Sequence, residues 1–403
     1  MEKLTIRDIN VNGKKVLVRV DFNVPLDEKT QVIGDDSRIR AALPTIQYLL
    51  DRNARIMLCS HLGRPDGKVV ESMRLGVVGR RLSELLGLPV KIARDCIGPE
   101  VEKMAAGLKN GDVLLLENLR FYAEEEENGA GFAKALAGLA DIYVDDAFGT
   151  AHRKHASITG VTKFLPSVAG FLMEQELQHL GGIVENPVHP FGGLFGGAKV
   201  SDKVALLENI MGKVDFLFIG GGMAATFLKV KSIEVGKSLI EEDRLETAAK
   251  LMEMAKNNKV NLMLPVDVVV ATEISPAAKG VIVPVENILA NQRIVDIGPR
   301  TIENFLAKLS TCKTIFWNGT MGISEIPQFA QGTLALVTLL ASLKATTVIG
   351  GGSTSEVVTN MGLADKMTFV STGGGASLML LGGQKLPGVE ALLDKGAPIA
   401  LKK

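Results

Sequence analysis

Arginine and histidine recur in this chain just after short apolar runs. His61 and Arg64 follow residues 55–59, Arg120 follows 113–116, and His152 and Arg153 follow 142–144, with Arg38 at an expected helix start. In an open α/β sheet, ligands bind beyond the carboxyl ends of the strands. Cations gathered there make a pocket for a small polyanion, because a guanidinium offers a planar fork to carboxylate or phosphate. Any one of these arginines alone reads better as a surface residue with a solvated head. Their joint placement favours a site. Asp21 and Asn23, after 16–20, fit either as acceptors for substrate hydroxyls or as an ordinary turn.

The second half of the chain carries glycine instead. Triplets stand at 220–222, 350–352 and 373–375, each after an apolar run. Glycine after a strand lets the backbone approach phosphate, and the next helix start supplies N–H donors. Residues 371–377, Ser-Thr-Gly-Gly-Gly-Ala-Ser, are the best candidate loop, with 350–354 next. Glycine triplets also serve tight turns and close packing, so the signal lies in their repetition. Two familiar motifs fail on context. Residues 192–199 resemble a P-loop, but Ala198 precedes Lys199 and Val200 stands where a Ser or Thr must hold magnesium. Residues 220–225 satisfy a loose dinucleotide fingerprint, yet its acidic partner would be Glu241 or Glu242, which follow no convincing strand.

The elements that must position these groups follow one grammar: an apolar run, a turn, then an amphipathic stretch. That alternation indicates α/β units with doubly covered parallel strands. Runs are expected at 16–20, 55–59, 113–116 and 142–144, then at 191–195, 216–219, 262–270, 314–317, 346–349 and 368–370. Ile39, Leu43, Ile46 and Leu50 mark a helix in which Pro44 implies a kink or a break. At 403 residues the chain exceeds what one core usually supports, so two domains are expected, meeting near the helical stretch 171–180. Glu124 to Glu127 read as a solvated surface, since consecutive carboxylates on a helix do not converge.

Lys plus Arg equals Asp plus Glu, at 45 each, so no global charge draws the chain to nucleic acid or a membrane. Any anion site must come from local clustering. The three cysteines are far apart and show no zinc spacing, which suits a reducing compartment. The first residues lack the apolar stretch of a signal peptide, and no run approaches the ~20 residues of a spanning helix. A cytoplasmic location is expected. No Ser/His/Asp order or zinc-spaced His pair emerges, and His155, His179 and His189 read as packing or surface residues. Phosphoryl transfer to a carboxylate would explain the missing base. Such an acceptor, with a pKa near ~4, is already ionised at neutral pH. It needs alignment and cations, which Arg38, Lys199 and Lys203 could supply.

The motifs at 19–26 (Arg-Val-Asp-Phe-Asn-Val-Pro-Leu), 60–65 (Ser-His-Leu-Gly-Arg-Pro) and 117–121 (Glu-Asn-Leu-Arg-Phe) resemble the phosphoglycerate kinase family. So do 196–200 (Gly-Gly-Ala-Lys-Val), Trp317-Asn318-Gly319 and 371–377. The likeness runs from about residue 5 to residue 389. It implies two Rossmann-like domains, each a parallel sheet flanked by helices, joined by a hinge helix. Residues 1–170 would bind 3-phosphoglycerate, 171–386 would bind nucleotide, and a tail at 387–403 would pack back on the first domain. The implied reaction is magnesium-dependent transfer between 1,3-bisphosphoglycerate and ADP, giving 3-phosphoglycerate and ATP, by a monomer whose domains close about a hinge. The implied substrate residues are Asp21, Phe22, Asn23, Arg38, His61, Leu62, Gly63, Arg64, Arg120 and Arg153. Lys203, Asn318, Glu325, Gly351, Gly352, Ser353 and Thr354 would hold nucleotide, and Arg38, Lys199, Lys203 and the amides of Gly373 and Gly374 would serve catalysis. One departure bears on the metal: Ser353 stands where the family pattern has an Asp that helps hold magnesium. A hydroxyl is the poorer ligand for a hard dication. Thr320 and Ile323-Ser324 also replace a usual Pro and Val-Phe. The departures keep open a nucleotide-binding paralogue with weak or no kinase activity.

Overall fold

The computed structural model describes residues 2–27 and 29–398. The chain divides into two compact units: residues 1–178 with 385–403, and residues 179–384. Unit 1 is built on β1 (Lys15–Val20), β2 (Arg55–Cys59), β3 (Val90–Ile92), β4 (Val113–Leu115), β5 (Ile142–Asp146) and β6 (Ser167–Ala169). They form one sheet in the order β3-β4-β2-β1-β5-β6, and every neighbouring pair is parallel. Alternation along β1 decides which face each side chain takes. Val16, Val18 and Val20 join a core with Ile56, Leu58, Val113 and Leu115, closed by Ile39, Ala42, Ile46 and Leu49. Those last four belong to the helix Ser37–Leu50, which runs through Pro44 without a break. The other face is buried too, and it carries Arg19 between Leu17 and the strand end.

Unit 2 has a second sheet, from β7 (Phe191–Phe195), β8 (Phe216–Ile219), β9 (Asn261–Met263), and further along the chain β13 (Thr314–Asn318), β14 (Thr346–Gly350) and β15 (Phe369–Val370). Its order is β15-β14-β13-β7-β8-β9, again parallel throughout. The run at 262–270, read as one strand, is two. It divides around Pro265, which has no N–H for a sheet ladder. β9 stays in the large sheet, whereas β10 (Asp267–Ala271) pairs antiparallel with β11 (Val281–Pro284) and β12 (Arg293–Ile297) in a separate small sheet.

The helix Phe171–Glu185 spans the boundary between the units. Its start is held by unit 1: Phe171 N donates to Thr45 Oγ1 at 2.9 Å, and Leu172 N to Asp146 Oδ1 at 2.9 Å. Residues 387–398 belong to unit 1, while 399–403, the rest of the expected tail, lie outside the described residues. Lys3 Nζ pairs with Asp394 at 2.6 Å, Leu4 N donates to Leu393 O, and Gly388 N donates to Ala151 O. Among the described residues no helix is long and apolar enough to cross a membrane.

Candidate active site

Four adjacent strands of unit 1, β4-β2-β1-β5, end on one side, and the segments after them line a cavity of about 250 Å³. β1 contributes Asp21 and Asn23, β2 contributes His61, Gly63 and Arg64, and β4 contributes Arg120. After β5 come Gly149, Thr150, His152 and Arg153, while Arg38 enters from the first turn of the helix Ser37–Leu50. The cations read from the sequence therefore converge. Gly149 and Thr150 had escaped notice, because neither residue type announces a site. Phe22 and Leu62, also expected at the substrate, do not line the cavity with their side chains. Both side chains are buried in the core, and their amides are engaged, Phe22 N with Ser60 Oγ at 2.9 Å and Leu62 N with Asn118 Oδ1 at 3.2 Å.

Internal hydrogen bonds set the cavity's shape. Arg38 is paired with Asp21. Gly63 N donates to Asn23 Oδ1 at 2.8 Å, and Arg120 Nη1 donates to Gly63 O at 2.9 Å. Behind them lies a charged chain that the sequence did not reveal. Arg19, 1% exposed, sends Nη2 to His61 Nδ1 at 3.2 Å and Nε to Ser157 Oγ at 3.0 Å. Ser157 passes the contact on: its hydroxyl and its amide donate to the two oxygens of Glu125 at 2.6 and 2.9 Å. Glu125, one of the carboxylates expected on a solvated surface, is fully buried. A guanidinium can only donate, so His61 Nδ1 must accept and Nε2 must carry the ring proton. Burial, then Arg19, Arg120 and Arg38, push the His61 pKa well below its ordinary value. His61 is thus a neutral hydrogen-bond donor among arginines.

His155 is buried beside this chain, with Nδ1 3.7 Å from Glu125 Oε1. Burial first, then Arg120, Arg19 and Arg153, lower its pKa to about 4. The unfolded chain takes up that proton near 6.5, the folded one only near 4, so His155 costs stability as pH falls through that window. We expect His155→Gln to lose less stability than the parent chain between pH 7 and pH 4.5. Urea midpoints at the two pH values check this, and parallel losses would refute it.

In unit 2 the corresponding place, beyond β7, β8, β13 and β14, holds a cavity of about 660 Å³. Its walls include Gly197, Ala198, Gly221 and Gly222, with Leu239, Ile274, Ile294 and Val295 as apolar surface and Glu325 and Ser353 at hand. The glycines are required by contact. A Cβ on Gly221 would meet Gly197 N and Thr320 O, and Gly221 has φ +64°. The triplet at 220–222 thus lets two loops touch, and its likeness to a dinucleotide fingerprint is incidental. Residues 192 and 193 lie inside β7, so that segment is no P-loop.

Other expected nucleotide residues take varied places. Lys203 is 7% exposed, burial lowers its pKa, and its ammonium lies against Gly197, while Lys199 is exposed. Asn318 is buried beside Gly351. Thr354 is buried, and its hydroxyl accepts from Gly319 N at 2.8 Å. Gly352 opens the helix Gly352–Asn360, with Ser353 exposed on its first turn. The Gly373 amide, expected to face a phosphoryl group, donates here to Ser371 Oγ at 3.1 Å. Gly374, at φ +50°, precedes the short helix Gly375–Leu381.

Two parallel α/β units, one with an arginine-lined cavity and one with a glycine-walled cavity, together define a two-domain phosphotransferase. The phosphoglycerate kinase model matches residues 6–384, and the chain belongs to that family. A wheat (Triticum aestivum) protein named phosphoglycerate kinase, cytosolic, is 55% identical over 96% of this chain and 97% of its own length. Phosphoglycerate kinase of Pelotomaculum thermopropionicum is 52% identical over 98% of this chain and 100% of its own. The solved phosphoglycerate kinase of Coxiella burnetii superposes with a TM-score of 0.86 at 40% identity, covering 96% of this chain and 98% of that one.

Proposed function

We propose that this chain catalyses the reaction of its family, reversible phosphoryl transfer from 1,3-bisphosphoglycerate to ADP, giving 3-phosphoglycerate and ATP. The observation that carries the reading is the convergence of Arg38, Arg64, Arg120 and Arg153 on one cavity in a chain matched to the family over residues 6–384. That cavity suits a three-carbon acid phosphate. The arginines neutralise its charge, while His61 donates through Nε2 and Asp21 and Asn23 orient its polar groups. Unit 2 takes the nucleotide, its base against Leu239, Ile274 and Val295 and its phosphates toward the glycine loops of the cavity wall. There Lys203 lies against Gly197 and Asn318 beside Gly351, with Lys199 exposed four residues before Lys203. Closure about the helix Phe171–Glu185 aligns the reactants and excludes water. The protein acts as a cytoplasmic monomer on these small molecules.

Magnesium fits as part of the nucleotide rather than as a protein-held ion. Among the described residues no group of three or more His, Cys, Asp or Glu side chains is placed to hold a metal. When bound, the ion would supply charge neutralisation on the transferring oxygens, and Ser353, which lines the nucleotide cavity, and Glu356, on the same helix Gly352–Asn360, are the residues that would help the phosphates and water hold it. We expect Ser353→Asp to lower the magnesium concentration for half-maximal rate by roughly threefold to tenfold, a carboxylate being the better hard ligand. An unchanged requirement would overturn that role.

The deciding experiment is a coupled assay of ATP formation from ADP and 1,3-bisphosphoglycerate at varied magnesium. Turnover supports the kinase. Nucleotide binding without turnover would leave only a binding paralogue.

A further inference from the structure

Glu241 was weighed above as the acidic partner of a dinucleotide fingerprint and rejected. Its contacts give it other work. Glu241 Oε2 accepts from Val200 N at 2.6 Å and Ser201 N at 3.1 Å, and Oε1 accepts from the Ser201 hydroxyl. These are the leading amides of the turn Ser201–Lys203, which follows Lys199 and carries Lys203. The turn has no cap of its own, since the residue before it is Val200, whose side chain cannot accept. A carboxylate from about 40 residues along the chain supplies what the local sequence lacks.

Glu241 also ends the segment that walls the nucleotide cavity. Lys237, Ser238, Leu239 and Ile240 line that cavity, and the segment is tied down along its length. Ser238 Oγ accepts from Ile294 N of β12 at 2.9 Å, and Glu241 N donates to Thr226 Oγ1 at 3.4 Å, on the helix Met223–Val230. One short stretch therefore touches the nucleotide's cavity at one end and grips the lysine turn at the other. We propose that Glu241 is a positioning residue that holds Lys199 and Lys203 in register with the nucleotide cavity.

The inference rests on the kinase reading, because it assigns the lysines to the transferring phosphates. Glutamine keeps the shape of Glu241 but not the charge or the second acceptor oxygen. A displacement of about 1 Å at a catalytic group can cost about 10²-fold in rate. Glu241→Gln is therefore expected to lower kcat roughly 10–100-fold. KM for 3-phosphoglycerate and the melting temperature should stay near those of the parent chain. Glu241→Asp should recover part of the loss, and in a Lys199→Ala background Glu241→Gln should cost much less than it does alone. Ser201→Ala, which removes only the hydroxyl contact, should lower kcat by a smaller factor in the same direction. It serves as the test if Glu241→Gln does not fold.

A parent chain that makes no ATP would overturn the kinase reading and this inference together. An active parent whose Glu241→Gln variant keeps kcat within twofold overturns the inference alone. So does a Ser201→Ala variant with unchanged kcat where Glu241→Gln is unfolded, or full additivity with Lys199→Ala.

Discussion

Arg38→Ala should lower turnover by roughly 10²–10⁴, between the loss of one oxyanion-stabilising donor and the loss of an arginine finger. The side chain is placed for that task. It stands in the first turn of the helix Ser37–Leu50 and is held by Asp21, whose own side chain is largely buried. One arm of the fork is spent on that contact, and the remaining N–H groups are available to the ligand. Arg38→Lys should recover only a small part, because an ammonium presents a point charge where a fork is needed. The measurement is kcat against KM in the ATP-forming assay. A loss confined to KM for the acyl phosphate would mean that Arg38 binds substrate without stabilising the transition state.

The second large effect is on stability. Glu125→Ala should destabilise unit 1 by about 3–5 kcal/mol, the usual cost of stranding a buried charge. Burial raises the Glu125 pKa, while Arg19 and the two hydrogen bonds from Ser157 pull it back. Without the carboxylate, Ser157 loses the acceptor of its hydroxyl and amide, and Arg19 keeps its contacts with Ser157 Oγ, His61 Nδ1 and Val20 O but loses a buried negative charge that offsets its own. Replacing both ends, Arg19→Met with Glu125→Leu, should restore at least half of the loss, since an apolar pair has no charge to strand. That double variant would still leave His61 without its donor at Nδ1, so KM for 3-phosphoglycerate should stay raised. Urea unfolding followed by circular dichroism reads the stability. A loss under about 1 kcal/mol for Glu125→Ala would show that the buried chain contributes little.

What the sequence disclosed, and what it hid, follows from how each feature is encoded. Central strands such as β1, β2, β13 and β14 are covered on both faces, so their apolar runs are nearly unbroken and easily read. The arginines after those runs were legible because strand ends are where ligands gather. β3 and β6, with three residues each, carry too little pattern to stand out. The small antiparallel sheet was missed because β10 is as apolar as a central strand, and only Pro265 betrays the break. Glu125 was misjudged, and Arg19 passed over, for a deeper reason. A charge in a strand or a glutamate run looks solvated until its distant partner is known, and here the link is Ser157, on neither segment. Phe22, Leu62 and Gly373 show the converse limit. A motif marks where a site lies, but not which of its members face the ligand and which hold the neighbours in place.

Because residues 387–394 are built into unit 1, that unit is interrupted in sequence while unit 2 is continuous. During synthesis the ribosome completes everything unit 2 requires before it delivers the strip that Leu4 and Ala151 are waiting for. The first half of the chain to emerge is therefore the last to be finished. Until the final stretch arrives, the positions that Val389 and Leu392 fill stay open, and exposed apolar surface of that kind makes folding intermediates prone to aggregate.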